Sequence, residues 1–409
     1  MGEMPSSESD SRDPGVSVWS TDLPSSAPPP VEPPLAASVP ASEPPERRVR
    51  GNRRAFLIWA GIVAGGAAAV AVGSRVVGKG GSGSTAARAT VELPSTAATL
   101  PNQLRAVTGA TELPVEGITP LITPTAEFFR IDAAFAVPQV DLSTWKLQIS
   151  GAVRTPLSFS FDDLLAMAQV TAPVTIACVS NEVGGKLVGT AVWQGVPLSA
   201  LLDRAGVQPG GEQIVGRSLD GFTAGFPVDA ATDGRTALVA IGMNGDPLPV
   251  EHGFPARLIV EGLYGYVSAT KWLSSIELRG WSEFDGYWID RGWSKTGPIK
   301  MSARIDTPRA GAKVAAGPIG VGGVAWAPDS GVAAVEVQVD DGPWQRATLG
   351  ESLSNGVWRQ WRLDWNSTPG SHRIQARTVN GDGEVQTGEV SQRQFDGETG
   401  WHSREVTVG

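Results

Sequence analysis

The 409-residue chain carries a net charge of -9, a single cysteine (Cys178) and three histidines. This acidity argues against a nucleic-acid partner, which needs a clustered basic surface. A lone cysteine excludes an intrachain disulfide, a four-thiolate iron–sulfur cluster and c-type haem attachment, and the scarcity of histidine argues against a His-rich zinc hydrolase site.

Residues 1–50 hold eleven of the 31 prolines and many Ser and Glu. With little that could form a core, they are expected to be a disordered cytoplasmic tail. In residues 51–78, arginines precede an uncharged run from Ala55 to Ser74. That run is about long enough to cross a roughly 30 Å hydrocarbon core as one helix. The arginine excess on its amino side predicts a single-pass cell-membrane anchor with the catalytic region extracytoplasmic. The stretch "NRRAFLI" also resembles a twin-arginine export signal, and both readings stay open. Residues 79–119, rich in Gly, Ser, Thr and Ala, are expected to be a linker.

Residues 120–300 mix short strands with short helices. In "LSFSFDDLLAMA", Ser160 and Asp163 have capping-box spacing. "VPLSALLDRAGV" reads as a helix stopped at Gly206. "ARLIVEG" and "KWLSSIEL" read as strands. No G-x-G-x-x-G follows a strand to open a helix, and there is no P-loop and no G-x-S-x-G elbow. From residue 301 the pattern is strands alone. Val335, Val337 and Val339 share a face before a turn at Asp341-Gly342, and Trp361, Leu363 and Trp365 share another. A further turn is expected near Asn380-Gly381. The expected class is α+β: a mixed α/β catalytic domain at 120–300, then an all-β immunoglobulin-like sandwich at 301–409, preceded by a single membrane helix.

Two stretches carry chemistry. Met243 to Leu278 places His252, Arg257 and Lys271 among turn residues and prolines, where such cations could bind an anion or merely line a solvated turn. "TIACVSNEVGG" holds Cys178, which is either a small buried hydrophobe or a reactive group.

The first stretch closely resembles the sulfite oxidase family of molybdopterin enzymes, whose pattern N-G-x-P-L-P-x-x-H-G-F-P-x-R precedes K-W-L. It is matched at Asn244, Gly245, Pro247 to Pro249, His252 to Pro255, Arg257 and Lys271 to Leu273. "FFRIDAAFAVP", "ACVSNEVGG" and "AVWQGVPLSALLDRAGV" resemble further family elements, and the terminal sandwich, with "WRL" at Trp361 to Leu363, resembles the family's dimerisation domain.

The resemblance implies that Cys178 is the thiolate bound to molybdenum beside the pterin dithiolene, in keeping with a soft, deprotonated ligand. It implies that His252, Arg257 and Lys271 hold the pterin and its phosphate, with Phe129, Arg130, Asn181, Asp220 and Ser268 as further cofactor contacts. Arg130 would face the metal, Trp193 would line the substrate pocket, and Arg362 would reach that pocket from the C-terminal domain.

Departures from the family pattern sit on the substrate side. Glu182 stands where animal and plant sulfite oxidases have arginine. Ile131-Asp132 replaces N-H, and the pocket tyrosine position falls near Asp285, with Tyr287 close by. The implied activity is two-electron oxygen-atom transfer on a small oxo-substrate, with a sulfoxide or N-oxide as plausible as sulfite. Electrons would pass to or from a separate redox partner, such as a membrane cytochrome or quinone-linked protein, and a homodimer is implied by the sandwich. The alternative is a non-catalytic membrane-anchored surface binding protein that uses the immunoglobulin-like domain.

Overall fold

A computed structural model describes residues 82–94, 98–99, 112–133, 136–167, 170–391 and 395–409. The expected tail and the apolar run at 55–74 lie outside the described residues. Among the described residues, no helix is long and apolar enough to cross a membrane.

The first elements are α1 (Ser82–Ala89), β1 (Ala98–Thr99), β2 (Lys146–Gly151), β3 (Leu157–Ser160), α2 (Phe161–Ala166), β4 (Val170–Ala177) and β5 (Val188–Pro197). They are followed by α3 (Leu198–Ala205), β6 (Gln213–Ser218), β7 (Thr223–Pro227), β8 (Ala237–Met243), β9 (Asp246–Pro247), β10 (Arg257–Val260), α4 (Gly265–Ser268) and β11 (Leu273–Arg279). The strands form two sheets, ordered β1-β4-β5-β8-β10 (β9 pairs with β8) and β3-β2-β11-β6-β7. Every residue of β8 and of β10 is buried. Such complete burial belongs to strands covered on both faces, where period-two alternation is lost, and it extends to Arg257 at the start of β10. Leu147, Ile149, Leu201, Ile241, Leu258 and Ile276 lie in the principal core.

Local chemistry explains the short helices. Ser160 Oγ accepts the Asp163 N–H at 3.1 Å, and the Asp163 carboxylate accepts the Ser160 N–H at 2.7 Å, which starts α2. Gly206 ends α3 with φ +68, a conformation glycine adopts without a Cβ penalty. The four described α-helices have eight, six, eight and four residues. The described part of the chain is thus mostly β, and less helical than an α+β class suggests.

From Ser302 the chain is a two-sheet sandwich. Its strands are β12 (Ser302–Thr307), β13 (Lys313–Val314), β14 (Gly317–Trp326), β15 (Val332–Val339), β16 (Gln345–Arg346), β17 (Thr348–Leu349), β18 (Arg359–Ser367), β19 (Gly370–Asn380) and β20 (His402–Val408). The sheet orders are β12-β14-β18-β17 and β13-β20-β19-β15-β16. Val335, Val337, Trp361, Leu363, Ile374 and Val406 fill the space between them, with Val339 and Trp365 partly buried against it. Trp358 joins this part to the first. Its backbone N–H donates to Thr175 Oγ1 at 2.8 Å and its indole N–H to the Leu121 carbonyl at 2.7 Å. Trp358 also lies in the principal core cluster, so no solvated seam separates the sandwich from the sheets before it.

The expected linker at 79–119 needs correction over its described part. Arg88 of α1 donates to the carbonyls of Pro247 and Leu248 at 2.8 to 3.0 Å. Ser84 is fully buried, and its Oγ accepts the Val140 N–H at 2.7 Å. Further on, Gln360 Oε1 accepts the Leu113 N–H at 2.9 Å, and the Gln360 amide donates to the Thr119 carbonyl at 2.8 Å. A small, polar composition suits a free tether, but it also suits a segment laid closely on a folded surface. Here the backbone and side-chain bonds decide for the second.

Candidate cofactor site

The turn Val250–His252 ends at Gly253, with φ +114, and delivers Arg257 to the start of β10. His252 is buried, with its ring edge-on to Phe128 at 5.7 Å. Burial, reinforced by Arg257 and Lys271, pulls its pKa down to about 4, so the ring is neutral at neutral pH. Arg257 is 4% exposed. It donates to the His252 carbonyl at 3.0 Å and stands 5.1 Å over the Trp193 ring, with no carboxylate among its described ion-pair partners. Burial draws its pKa down to about 10.

Lys271 approaches from the other side. Its ammonium donates to the Glu251 carbonyl at 3.0 Å, lies 4.7 Å over the Trp272 ring and is ion-paired to Asp132. Burial lowers its pKa to about 8, opposed by Asp132. Trp272 is held at φ +47, with its indole N–H on the Val250 carbonyl at 2.7 Å. A non-glycine residue in that region signals local strain of the kind found at functional sites. Gly253 lies between the two cations, since a Cβ there would stand 3.1 Å from Lys271 Cβ and 3.2 Å from Arg257 Cβ.

Arg130 joins the cluster through Asp132, with Nε 2.6 Å from Oδ2. Phe128 stacks on Phe129 at 5.2 Å and meets Trp193 edge-on at 5.8 Å. Arg130 and Lys271 thus share the carboxylate of Asp132, while Arg257, which also acts on His252, has no ion-pair partner of its own among the described residues. Buried charge is costly unless compensated, so this surplus of positive charge suits an anion.

Cys178 follows the last residue of β4, whereas Arg257 lies level with the first through Ala240 and Gly195, and Phe128 spans part of the distance between them. Phe128 packs against Gly189, which pairs with Ile176, two residues before the cysteine. The helical turn α4, leading to Lys271, lies against the Ala177 carbonyl. Cys178 N–H donates to the Leu187 carbonyl at 2.9 Å, and its own carbonyl accepts the Asn181 N–H at 3.0 Å. The Asn181 side chain closes the loop by accepting the Leu187 N–H at 2.7 Å. The thiol is half-buried, and burial pushes its pKa up. Among the described residues no group of three His, Cys, Asp or Glu could hold a metal. Glu182 is exposed on the loop.

Trp193, Ser268 and Arg362 are placed differently from the expectation, and Asp220 lies in a turn. Trp193 has no exposed surface and donates to the Val174 carbonyl at 3.3 Å, so it is a platform under Arg257 rather than a pocket wall. Ser268 is 1% exposed, with its hydroxyl on the Leu263 and Tyr264 carbonyls at 3.2 and 3.1 Å, where it caps its own turn. Asp220 accepts the Phe222 N–H at 2.9 Å within a turn that abuts Trp272. Arg362 pairs with Asp364 at the outer face of β18 and lines a groove of about 540 Å³ with Val115, Thr307 and Arg309. Strand alternation explains this, because Trp361 points into the sandwich and its neighbour must point out. Sequence reasoning missed Arg304, Glu398 and His402, which touch the loop after Cys178. "SARIDT" reads as an ordinary strand, and nothing local marks the contact.

Residues 134–288 match the family described as "Oxidoreductase molybdopterin binding domain". An uncharacterized oxidoreductase of Bacillus subtilis, YuiH, is 33% identical over 165 residues, covering 40% of this chain and 80% of the relative. Mouse mitochondrial sulfite oxidase is 30% identical over 299 residues, covering 62% of this chain and 54% of the relative. The chain thus spans about half the length of that curated relative. The crystal structure of the sulfane dehydrogenase SoxCD from Paracoccus pantotrophus shares the fold at a TM-score of 0.63 and 23% identity, covering 75% of this chain and 87% of that one. An oxidoreductase that uses a molybdenum cofactor replaces the alternative of a non-catalytic binding protein. The matched domain, the relatives and the shared architecture together place this chain in the sulfite oxidase family of molybdopterin-dependent oxidoreductases.

Proposed function

We propose that the chain catalyses two-electron oxygen-atom transfer on a small oxo-substrate, with Cys178 as the thiolate ligand of molybdenum. The observation that carries this reading is the buried surplus of positive charge around Arg257 and Lys271, connected towards Cys178 by Phe128, whose ring meets His252 and Trp193 and packs on Gly189. A phosphate-bearing pterin fits such a pocket, because its charge offsets the cost of keeping those cations out of water. When bound, the cofactor supplies the two-electron, oxygen-transferring chemistry, which no side chain of the cluster could provide.

The remaining tasks fall to the chain's own residues. Arg257, oriented by the His252 carbonyl and the Trp193 face, binds phosphate. Lys271, fixed by Asp132 and the Glu251 carbonyl, holds the opposite side. Neutral His252 is a hydrogen-bonding group rather than a third cation. Phe128 and Phe129 exclude water from one wall. Cys178 carries its proton when unligated and gives it up on binding the metal. Arg130, with 44% of its side chain exposed, meets the substrate at the mouth.

The acids around the site favour a neutral or weakly charged substrate, a sulfoxide or N-oxide, over sulfite. Asp132 occupies the cation cluster and Glu182 stands exposed on the Cys178 loop. Support for an extracytoplasmic, membrane-anchored enzyme comes from the arginine-flanked apolar run at 55–74. In that reading the immunoglobulin-like sandwich serves dimerisation, and electrons are exchanged with a separate cytochrome or quinone-linked protein.

The test is a substrate screen of molybdenum-loaded protein with artificial electron carriers, covering sulfite oxidation and reduction of sulfoxides, N-oxides and nitrate. A higher kcat/KM for a sulfoxide or N-oxide is expected. Sulfite as the best substrate contradicts the substrate reading.

A further inference from the structure

The loop that follows Cys178 is gripped by the C-terminal sandwich at three consecutive residues. Glu398 Oε2 accepts the Val183 N–H at 3.1 Å. The His402 ring packs against the bare backbone of Gly184, whose φ is +80, and a Cβ built there would overlap the ring. Arg304 Nη1 donates to the Gly185 carbonyl at 3.0 Å.

Arg304 and His402 are themselves tightly held. The Arg304 side chain is 8% exposed, with Nη2 on Thr119 Oγ1 and Nε on Asp306 Oδ1, both at 2.7 Å. Its guanidinium also faces the buried Trp358 ring at 5.7 Å. His402 Nδ1 accepts the Ile305 N–H at 2.8 Å, which places the ring proton on Nε2, the nitrogen facing Gly184. Ile305 follows Arg304 on β12, so the two grips are mechanically joined.

The loop is closed at its base by the bonds between Cys178 and Leu187, Cys178 and Asn181, and Asn181 and Leu187. A shift of Val183 to Gly185 therefore reaches Cys178 through a short ring of hydrogen bonds. We infer that Arg304 and His402 are positioning residues that clamp the Cys178 loop, so that the sandwich completes the cofactor site. A metal ligand on an unsupported loop would wander, and a rigid outer shell holds it in register. This inference rests on Cys178 being the ligand.

Because Cys178 is the only cysteine, alkylation of cofactor-free protein reports the loop's position without any activity measurement. Arg304→Ala and His402→Ala are each expected to raise the alkylation rate at least tenfold at unchanged circular dichroism, with Arg304→Lys in between. Arg362→Ala, on the outer face, should leave the rate unchanged. Gly184→Ala should also accelerate alkylation, by a smaller factor in a His402→Ala background, where the ring no longer blocks the Cβ. Should the buried variants fail to fold, Glu398→Ala removes one grip from a less buried position and should accelerate alkylation more modestly. Unchanged alkylation in the folded variants overturns the clamp. Faster alkylation with unaltered molybdenum content and unaltered sulfur coordination in the loaded variants overturns its role in the site. If the wild-type chain holds no molybdenum, the ligand reading of Cys178 fails while the alkylation result still decides the clamp.

Discussion

Lys271 is ion-paired to Asp132, and the same carboxylate also receives Arg130 at 2.6 Å. One acid thus restrains two of the cations that surround His252. Asp132→Asn leaves Lys271 buried without its counter-ion, and breaking such a pair by removing one partner costs about 3 kcal/mol. In the loaded enzyme the cofactor's phosphate supplies part of the missing charge. The expected result is a larger loss of stability in cofactor-free than in loaded protein, measured by urea denaturation. Equal losses contradict an anion beside Lys271.

Gly253 should tolerate no side chain. At φ +114, with Lys271 and Arg257 flanking the Cβ position, Gly253→Ala combines backbone strain with pressure on both cations. Strain of this kind costs about 1–3 kcal/mol. Molybdenum and pterin content per protein should fall, because the bases of both cationic side chains are pushed aside. Undiminished content would place the phosphate elsewhere.

Trp193 separates a structural from a substrate-contacting role. As a fully buried platform, its truncation to Ala should cost about 3–5 kcal/mol. Trp193→Phe should retain substrate KM while shifting the denaturation midpoint downward. A large KM change with unaltered stability would restore the pocket-wall reading.

Arg88 tests whether the segment before the catalytic sheets is a strap. It donates to the Pro247 and Leu248 carbonyls, just ahead of the turn bearing His252. Hydrogen bonds from a charged donor contribute about 1.5–3 kcal/mol each in favourable settings. Arg88→Ala should therefore lower thermal stability and expose the 82–94 segment to limited proteolysis. A free linker would show neither effect.

The buried histidines set an acid limit. His252 and His402 are held at about 4 and about 3, chiefly by burial, with Arg257 and Lys271 opposing a proton on the first and Arg404 and Arg304 on the second. In the unfolded chain both titrate near 6.5. Between the folded and unfolded values the unfolded state binds more protons. Stability present above pH 6.5 is therefore lost as pH falls towards 4. His402→Gln should remove roughly 2–3 kcal/mol of the loss that wild type shows between pH 7.5 and 4.5. Urea denaturation at the two pH values measures it.

Local rules were readable in the chain, and long-range ones were not. The capping pair Ser160 and Asp163 acts within four residues, and the inward set of Val335 and Val337 follows strand period. The grouping of His252, Arg257 and Lys271 was legible because the turn at Gly253 brings a short stretch back on itself. Arg362 was misplaced because the motif around it says nothing about which face of the sheet it occupies. Arg304 reaches Gly185 across 119 residues, a contact created by the packing of the sandwich on the first sheets and visible in neither segment alone. Ser84 and Arg88 sit in a stretch whose composition suggests freedom, whereas their bonds are to residues more than fifty positions away.

The central claim is that Cys178 is the protein's ligand to molybdenum. X-ray absorption at the molybdenum edge of loaded wild type and Cys178→Ser, both checked for folding, tests it directly. Loss of one sulfur from the coordination shell, with cofactor still held by the Arg257 and Lys271 pocket, is the predicted result; an unaltered sulfur count in Cys178→Ser would contradict it.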